Sequence, residues 1–297
     1  CGGCAQNTAF CVQVCLMRAA VIGLGLIGAS FAKALKNCGH EVYGYDISPE
    51  ICSRAAEDGV ISGRAEKEGL AGCRLIIIAL YPGDTLEFLK MNAENISNGS
   101  VVVDCGGVKR AVCSQAENIA QKHGFIFIGG HPMAGKESFG YFSSDGGLFQ
   151  NASMLLAPPE HTDAGVIENL KALFASLGFK RVVLTTPQEH DRIIAYTSQL
   201  AHIVSSSYIK SPTALEQAGF SAGSFKDMTR VAYLNEKMWT ELFMDNRDNL
   251  INEIEILQKH LEDYKNALAQ GNREYLFNLL KEGRLRKEKV DSLNGNK

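Results

Sequence analysis

Two glycine-rich segments carry side chains suited to acid–base chemistry. Asp104-Cys105-Gly106-Gly107-Val108-Lys109 follows the apolar run Val101-Val102-Val103, and Gly129-Gly130-His131-Pro132-Met133-Ala134-Gly135 follows Phe125-Ile126-Phe127-Ile128. A neutral imidazole with an ordinary pKa of ~6.5 suits a base working at neutral pH. His131, at the carboxyl end of a strand and flanked by glycines, is expected on a short loop at the ligand-binding edge of a sheet. Further along lie His190-Asp191, Ser198-Gln199-Leu200-Ala201-His202 and Phe225-Lys226-Asp227-Met228-Thr229-Arg230. His190 and His202 need not share a site, and His190 can equally be the neighbour of a helix cap. Asp227 and Arg230, three apart on a helix, either form an ordinary surface bridge or leave Arg230 free to grip a carboxylate through two parallel hydrogen bonds.

The segment Gly23-Leu24-Gly25-Leu26-Ile27-Gly28 stands where a strand meets a helix. Such a string alone is weak evidence. Here a strand precedes it, a helix follows, and Asp46 ends the next strand, which together make a dinucleotide fingerprint. Gly23 permits the tight turn, Gly25 admits the pyrophosphate, and Gly28 lets the helix pack close. Leu26 and Ile27 supply helix-start amides, whose unpaired N–H groups and partial positive charge attract phosphate. Asp46 is placed to accept from ribose hydroxyls and to repel a 2′-phosphate. The expected cofactor is therefore NAD rather than NADP.

The elements that must position these groups fall into two textures. Short apolar runs at residues 19–22, 41–46, 75–80, 101–104, 125–128, 154–157 and 181–184 alternate with helical stretches. The unbroken Leu75–Leu80 run is typical of a strand buried on both faces of a parallel sheet. This pattern predicts an α/β fold with an N-terminal Rossmann-type, doubly wound parallel sheet over residues 17–185. After Pro187 only helical periodicity remains, which predicts an all-α C-terminal domain over residues 186–283. There Leu250, Ile254, Leu257, Leu261, Tyr264 and Leu268 form a seam with alternating steps of four and three. A seam that regular predicts packing on another helix, in the same chain or in a second subunit. The polar stretch from Arg284 to Lys297 is expected to fray.

Bulk properties bound the function. With 297 residues, 45% hydrophobic and 21% charged, the chain has the composition of a two-domain globular protein. A formal charge of -3 gives no reason to expect nucleic acid as a partner. No run approaches the ~18 apolar residues of a spanning helix, so no membrane partner is expected. Of nine cysteines, Cys1, Cys4, Cys11 and Cys15 crowd residues 1–16. No second pair or histidine follows at ligand spacing, so no metal site is expected. Residues 1–16 read as an unstructured or upstream extension, since Met17-Arg18 opens directly into a strand. The scattered cysteines read as reduced residues of a cytoplasmic protein.

In combination these motifs resemble the prephenate and arogenate dehydrogenases over about residues 17–270. The glycine fingerprint, Asp-x-Gly-x-Val-Lys, the Gly-Gly-His-Pro-Met-Ala-Gly loop, His-Asp twelve residues before a second histidine, Phe-x-Asp-x-Thr-Arg and Trp239 nine residues after Arg230 all occur in order. The resemblance implies NAD-dependent oxidative decarboxylation of prephenate in tyrosine synthesis, with arogenate as the alternative substrate. It implies that His131 takes the proton from the ring hydroxyl and Arg230 binds a carboxylate. It also implies that His202 lines the pocket, oriented by Asp227, with Trp239 nearby, and that the helical domain forms a homodimer. Two positions depart from the family, which commonly has serine where this chain has Gly107 and histidine where it has Gln199.

Rival readings weigh less. β-Hydroxyacid dehydrogenases use a lysine with an asparagine four residues on in the helical domain. The only such pair here, Lys33 and Asn37, lies in the first cofactor-domain helix. A non-catalytic NAD-binding sensor has only Gly107 in its favour.

Overall fold

The computed structural model describes residues 16–293. Residues 1–15, which include four of the cysteines and most of the expected extension, lie outside the described residues, as do residues 294–297.

The chain begins with β1 (Arg18–Ile22), α1 (Leu26–Asn37), β2 (Glu41–Tyr45), α2 (Pro49–Glu57), β3 (Gly63–Arg64), α3 (Lys67–Leu70) and β4 (Leu75–Ile78). It continues through α4 (Pro82–Asn92), β5 (Val101–Asp104), α5 (Arg110–His123), β6 (Ile126–Pro132), β7 (Ser153–Ala157), α6 (Ala164–Ser176) and β8 (Arg181–Leu184). The eight strands form one sheet in the order β3-β2-β1-β4-β5-β6-β7-β8. The order reverses beside β1, the switch point at which such sheets bind ligands.

The core follows from strand alternation. Ala19, Val21, Ile77, Val103 and Ile128 face one layer, with Phe31 of α1 and Phe174 of α6. Ala20, Ile22, Ile76, Ile78, Val102 and Phe127 face the other, with Phe88 of α4 and Val112 of α5. Every residue of β4 is buried, which explains its unbroken apolar sequence.

One strand departs from the parallel series. β7 runs antiparallel to β6, pairing His131 with Leu155 and Pro132 with Met154. This pairing extends β6 through Pro132, so His131 sits on a strand end rather than on the short loop expected from its glycines.

Helices α7 (Pro187–Ile194), α8 (Ala201–Tyr208), α9 (Gly223–Thr229) and α10 (Glu236–Asp245) belong to the same compact unit as the sheet, which runs to Asn246. Between α7 and α8 the backbone widens into a π-helical stretch, Ala195–Leu200. A second unit begins at Arg247 and consists of α11 (Arg247–Ala269) and α12 (Arg273–Leu293), which pack on each other. Leu261 and Leu268 of the predicted seam are exposed, as are Phe277 and Leu280 of α12. The stretch from Arg284, expected to fray, continues as helix to Leu293. Pairs Arg284–Glu288, Arg286–Glu282 and Lys287–Asp291 lie one turn apart along it and favour the helix.

Candidate active site

The glycine turn closes the carboxyl end of β1. Gly23 has φ +85, and a Cβ there would lie 2.5 Å from the Ala79 carbonyl oxygen. A Cβ on Gly28 would lie 1.8 Å from the Gly23 oxygen, whereas one on Gly25 would meet nothing within 4 Å. The start of α1 has no side-chain cap and no acid in its first turn. Its amides at Leu26, Ile27 and Gly28 therefore have neither an internal partner nor a competing carboxylate. Open space over Gly25 beside an uncapped helix start fits a pyrophosphate. Asp46 accepts from Leu24 N at 2.8 Å and Ser48 N at 3.0 Å, which fixes its carboxylate beside the turn.

The next two strand ends are joined by a buried ion pair. Lys109 Nζ bonds Asp104 Oδ2, and both side chains are 1% exposed. Lys109 Nζ also donates to Gly130 O at 2.6 Å, while Gly130 N donates to Asp104 Oδ1 at 2.9 Å. Both polar groups of Gly130 are thus held by one pair of charges, directly before His131. A side chain at 130 is impossible, since a Cβ would lie 2.4 Å from the Asp104 carbonyl oxygen.

His131 Nδ1 lies 2.9 Å from His190 Nε2, and His190 Nδ1 lies 2.7 Å from Asp191 Oδ1. Asp191 is fully buried and accepts from Lys109 N at 2.8 Å, Arg110 N at 2.9 Å and Arg110 Nε at 3.3 Å. The Asn246 side chain donates to the Asp191 carbonyl oxygen and to Gln199 Oε1, each at 2.8 Å. Burial, and after it His190 and the Lys109 ammonium, hold His131 well below the ordinary histidine range. Burial also lowers His190, against the opposing pull of its bond to Asp191. Asp191 is lowered despite its burial by its bonds to His190 and to the Arg110 and Lys109 amides. The result is a neutral imidazole backed by an ionised carboxylate, an arrangement suited to abstracting a proton.

The sequence features expected on the substrate side fall into two groups. His202 stacks on Trp239 with ring centroids 4.0 Å apart, and its Nδ1 donates to Ser198 O at 2.8 Å. Burial lowers its pKa, and the Arg230 guanidinium adds to the shift. Gly107 and Gln199, the two departures from the family, meet at one residue of α10. A Cβ on Gly107 would lie 3.3 Å from Leu242 Cδ1, and Gln199 Nε2 donates to Leu242 O at 3.1 Å. Asp227, expected to orient His202, is exposed on α9, while the His202 Nδ1 partner is the Ser198 carbonyl. The partner of Arg230 is Glu137 at 3.3 Å, six residues beyond His131, rather than Asp227.

Three contributors had no distinct sequence signal, Asn246, Glu137 and Leu242; His190-Asp191 stood out in the sequence, but its pairing with His131 did not. Asp104 and Lys109 lay in a segment singled out for chemistry, but their clamp on Gly130 depends on β5 pairing with β6. Among the described residues no cluster of metal-ligating side chains occurs.

Comparison with known proteins identifies the relatives of this chain. Residues 31–184 match the family model described as prephenate dehydrogenase, nucleotide-binding domain, and residues 186–282 match prephenate dehydrogenase, dimerization domain. The chain is 32% identical to prephenate dehydrogenase of Bacillus subtilis (strain 168) over 269 residues, 87% of this chain and 72% of that one. The structure of A. aeolicus prephenate dehydrogenase in complex with hydroxyphenyl propionate and NAD+ superposes with a TM-score of 0.82 at 28% identity. That match covers 94% of this chain and 100% of the other. Synechocystis arogenate dehydrogenase gives a TM-score of 0.79 at 28% identity, covering 92% and 100%.

Proposed function

The chain belongs to the prephenate dehydrogenase family, and from that premise we propose that it carries out the NAD-dependent oxidative decarboxylation of prephenate to 4-hydroxyphenylpyruvate, a step of tyrosine biosynthesis. The observation that carries this reading is the hydrogen-bonded Asp191–His190–His131 chain at the end of β6, buried at Asp191 and His190, in the same compact unit as the glycine turn and Arg230.

NAD, when bound, supplies the electron acceptor. The residues that hold it are Gly23, Gly25, Leu26, Ile27 and Gly28, with Asp46 on the adenosine ribose. His131 takes the proton from the ring hydroxyl. Arg230 binds a substrate carboxylate, for which a permanently charged planar fork is suited. His202 and Trp239 wall the pocket, and Gly107 and Gln199 border it through Leu242. Loss of carbon dioxide leaves an aromatic ring, which drives the reaction forward.

Residues 17–185 form the cofactor domain and residues 186–283 the substrate and dimerisation domain. The exposed apolar residues of α11 and α12 support a homodimer through that region, with light scattering as its measurement. A cytoplasmic location is supported by the five described cysteines, all of which are free. The likeness to the Synechocystis enzyme favours arogenate as a second substrate.

The deciding experiment follows NADH formation with prephenate and arogenate offered separately, for the native chain and for His131→Asn. Turnover of prephenate by the native chain, lost in the variant while NAD still binds, is the expected result. Undiminished turnover in the variant would remove His131 from the mechanism.

A further inference from the structure

His190 and Asp191 lie outside the set of residues assigned to substrate or cofactor, yet both are buried and hydrogen-bonded in line with His131. Asp191 receives three hydrogen bonds from Lys109 and Arg110, two of them from backbone amides that can only donate. A carboxylate that is so surrounded stays ionised and can only accept. The proton between Asp191 Oδ1 and His190 Nδ1 therefore resides on the histidine. Burial keeps His190 neutral, so its Nε2 carries a lone pair and must accept. The proton between the two rings then resides on His131 Nδ1. That leaves His131 Nε2 as the unprotonated nitrogen.

Given the proposed role of His131 as base, we propose that Asp191 and His190 are positioning residues that lock His131 in the Nδ1–H tautomer and stabilise the imidazolium it becomes. The proton balance is simple. One proton leaves the substrate hydroxyl oxygen for His131 Nε2, and the two N–H protons already in the chain stay where they are. The charge of Asp191, relayed through an oriented neutral ring, then faces the new cation without meeting it directly. The logic is that of a nucleophile–base–orienter triad with the orienter doubled.

The facing groups are few. Lys109 is paired with Asp104, though its charge still lowers His131; Arg110 spends its Nε on Asp191, and Asp245 lies on the Asp191 side, away from the ring of His131 in the hydrogen-bonded order. None supplies an alternative partner for the His131 ring. Asn246 and the amides of residues 109 and 110 hold the Asp191 end in place.

The test is the pH profile of kcat/KM for the native chain, His190→Gln and Asp191→Asn, with NAD affinity measured alongside. Both variants are expected to lose about 10²-fold in kcat, since a base in the wrong tautomer is inactive. The acid-limb pKa should move in both, while NAD affinity stays at the native value. A profile and kcat unchanged in both variants would overturn the proposal. Because a substitution at a buried position can prevent folding, a second measurement uses the native protein alone. Nitrogen-15 chemical shifts of labelled histidines should report His131 and His190 both as Nδ1–H. A His131 that carries its proton on Nε2 would refute the lock directly. Loss of turnover in His131→Asn with silent His190 and Asp191 variants would retain the base and reject only its orienters.

Discussion

Glu137 Oε1 lies 3.3 Å from Arg230 Nη1, and both side chains are 62% exposed. A carboxylate of the protein sits where the proposed mechanism places a carboxylate of the substrate. Substrate must displace Glu137, and a solvent-exposed pair of this kind resists only weakly. Glu137→Gln is therefore expected to lower KM for prephenate a few-fold with kcat unchanged. Arg230→Ala, which leaves the substrate carboxylate unpaired, should raise KM by roughly tenfold or more. An Arg230→Ala enzyme with native KM would make the pair a surface ornament with no part in binding.

The depressed histidines give the activity and the stability related pH dependences. His131 works as a base only when neutral, and burial with the neighbouring His190 and Lys109 holds its pKa well below 6.5. The acid limb of kcat/KM should therefore fall below the ordinary histidine value, and activity should persist as pH drops through 6.5. An acid limb at or above 6.5 would contradict the geometry. Stability follows the same sign. His40, His131, His190 and His202 are all lowered in the folded chain, so below about 6.5 the unfolded chain binds more protons. Thermal unfolding midpoints should hold from pH 8 to pH 7 and decline progressively below about pH 6.5.

Lys109 and Asp104 form a buried pair whose separate removal leaves a lone charge in the interior. Lys109→Met should destabilise the chain by about 3–5 kcal/mol, the usual cost of breaking such a pair. Combining it with Asp104→Asn removes the stranded charge and should recover part of that loss. The double variant still lacks the donor to Gly130 O, so its kcat should remain depressed. Chemical denaturation and initial rates on the two variants separate these effects. Recovery of both stability and kcat would show that the clamp on Gly130 has no bearing on His131.

Much of the fold was legible because buried strands write themselves as apolar runs: β4 is four buried residues in sequence, and β5 and β6 are nearly so. The glycine turn was legible because Gly23 and Gly28 have no room for a side chain. Pairing direction was not legible, since an apolar run reads alike whichever way its neighbour points. The antiparallel β7 therefore went unseen, and His131 with it was expected on a loop. The partners of His131 were hidden for a related reason. His190 is 59 residues away in sequence, and the packing of α7 on the start of α5 brings the rings together. Arg230 and Asp227 lie three apart, and that spacing concealed Glu137, which reaches Arg230 from 93 residues away.

The two departures from the family share a neighbour, which makes them open to a coupled test. A side chain at 107 would press on both terminal methyls of Leu242 at 3.3 Å, tighter than ordinary contact. The backbone of Leu242 cannot readily retreat, because Gln199 Nε2 holds its carbonyl at 3.1 Å and Asn246 anchors the next turn to Gln199 at 2.8 Å. Gly107→Ser alone should thus cost about 1–3 kcal/mol through overpacking. Leu242→Ala removes the obstructing methyls, so adding it to Gly107→Ser should cost less than the two single losses together. The expected coupling is about 0.5–3 kcal/mol, measured by a double-mutant cycle on unfolding free energies. Strict additivity would mean that Leu242 does not limit what residue 107 can be.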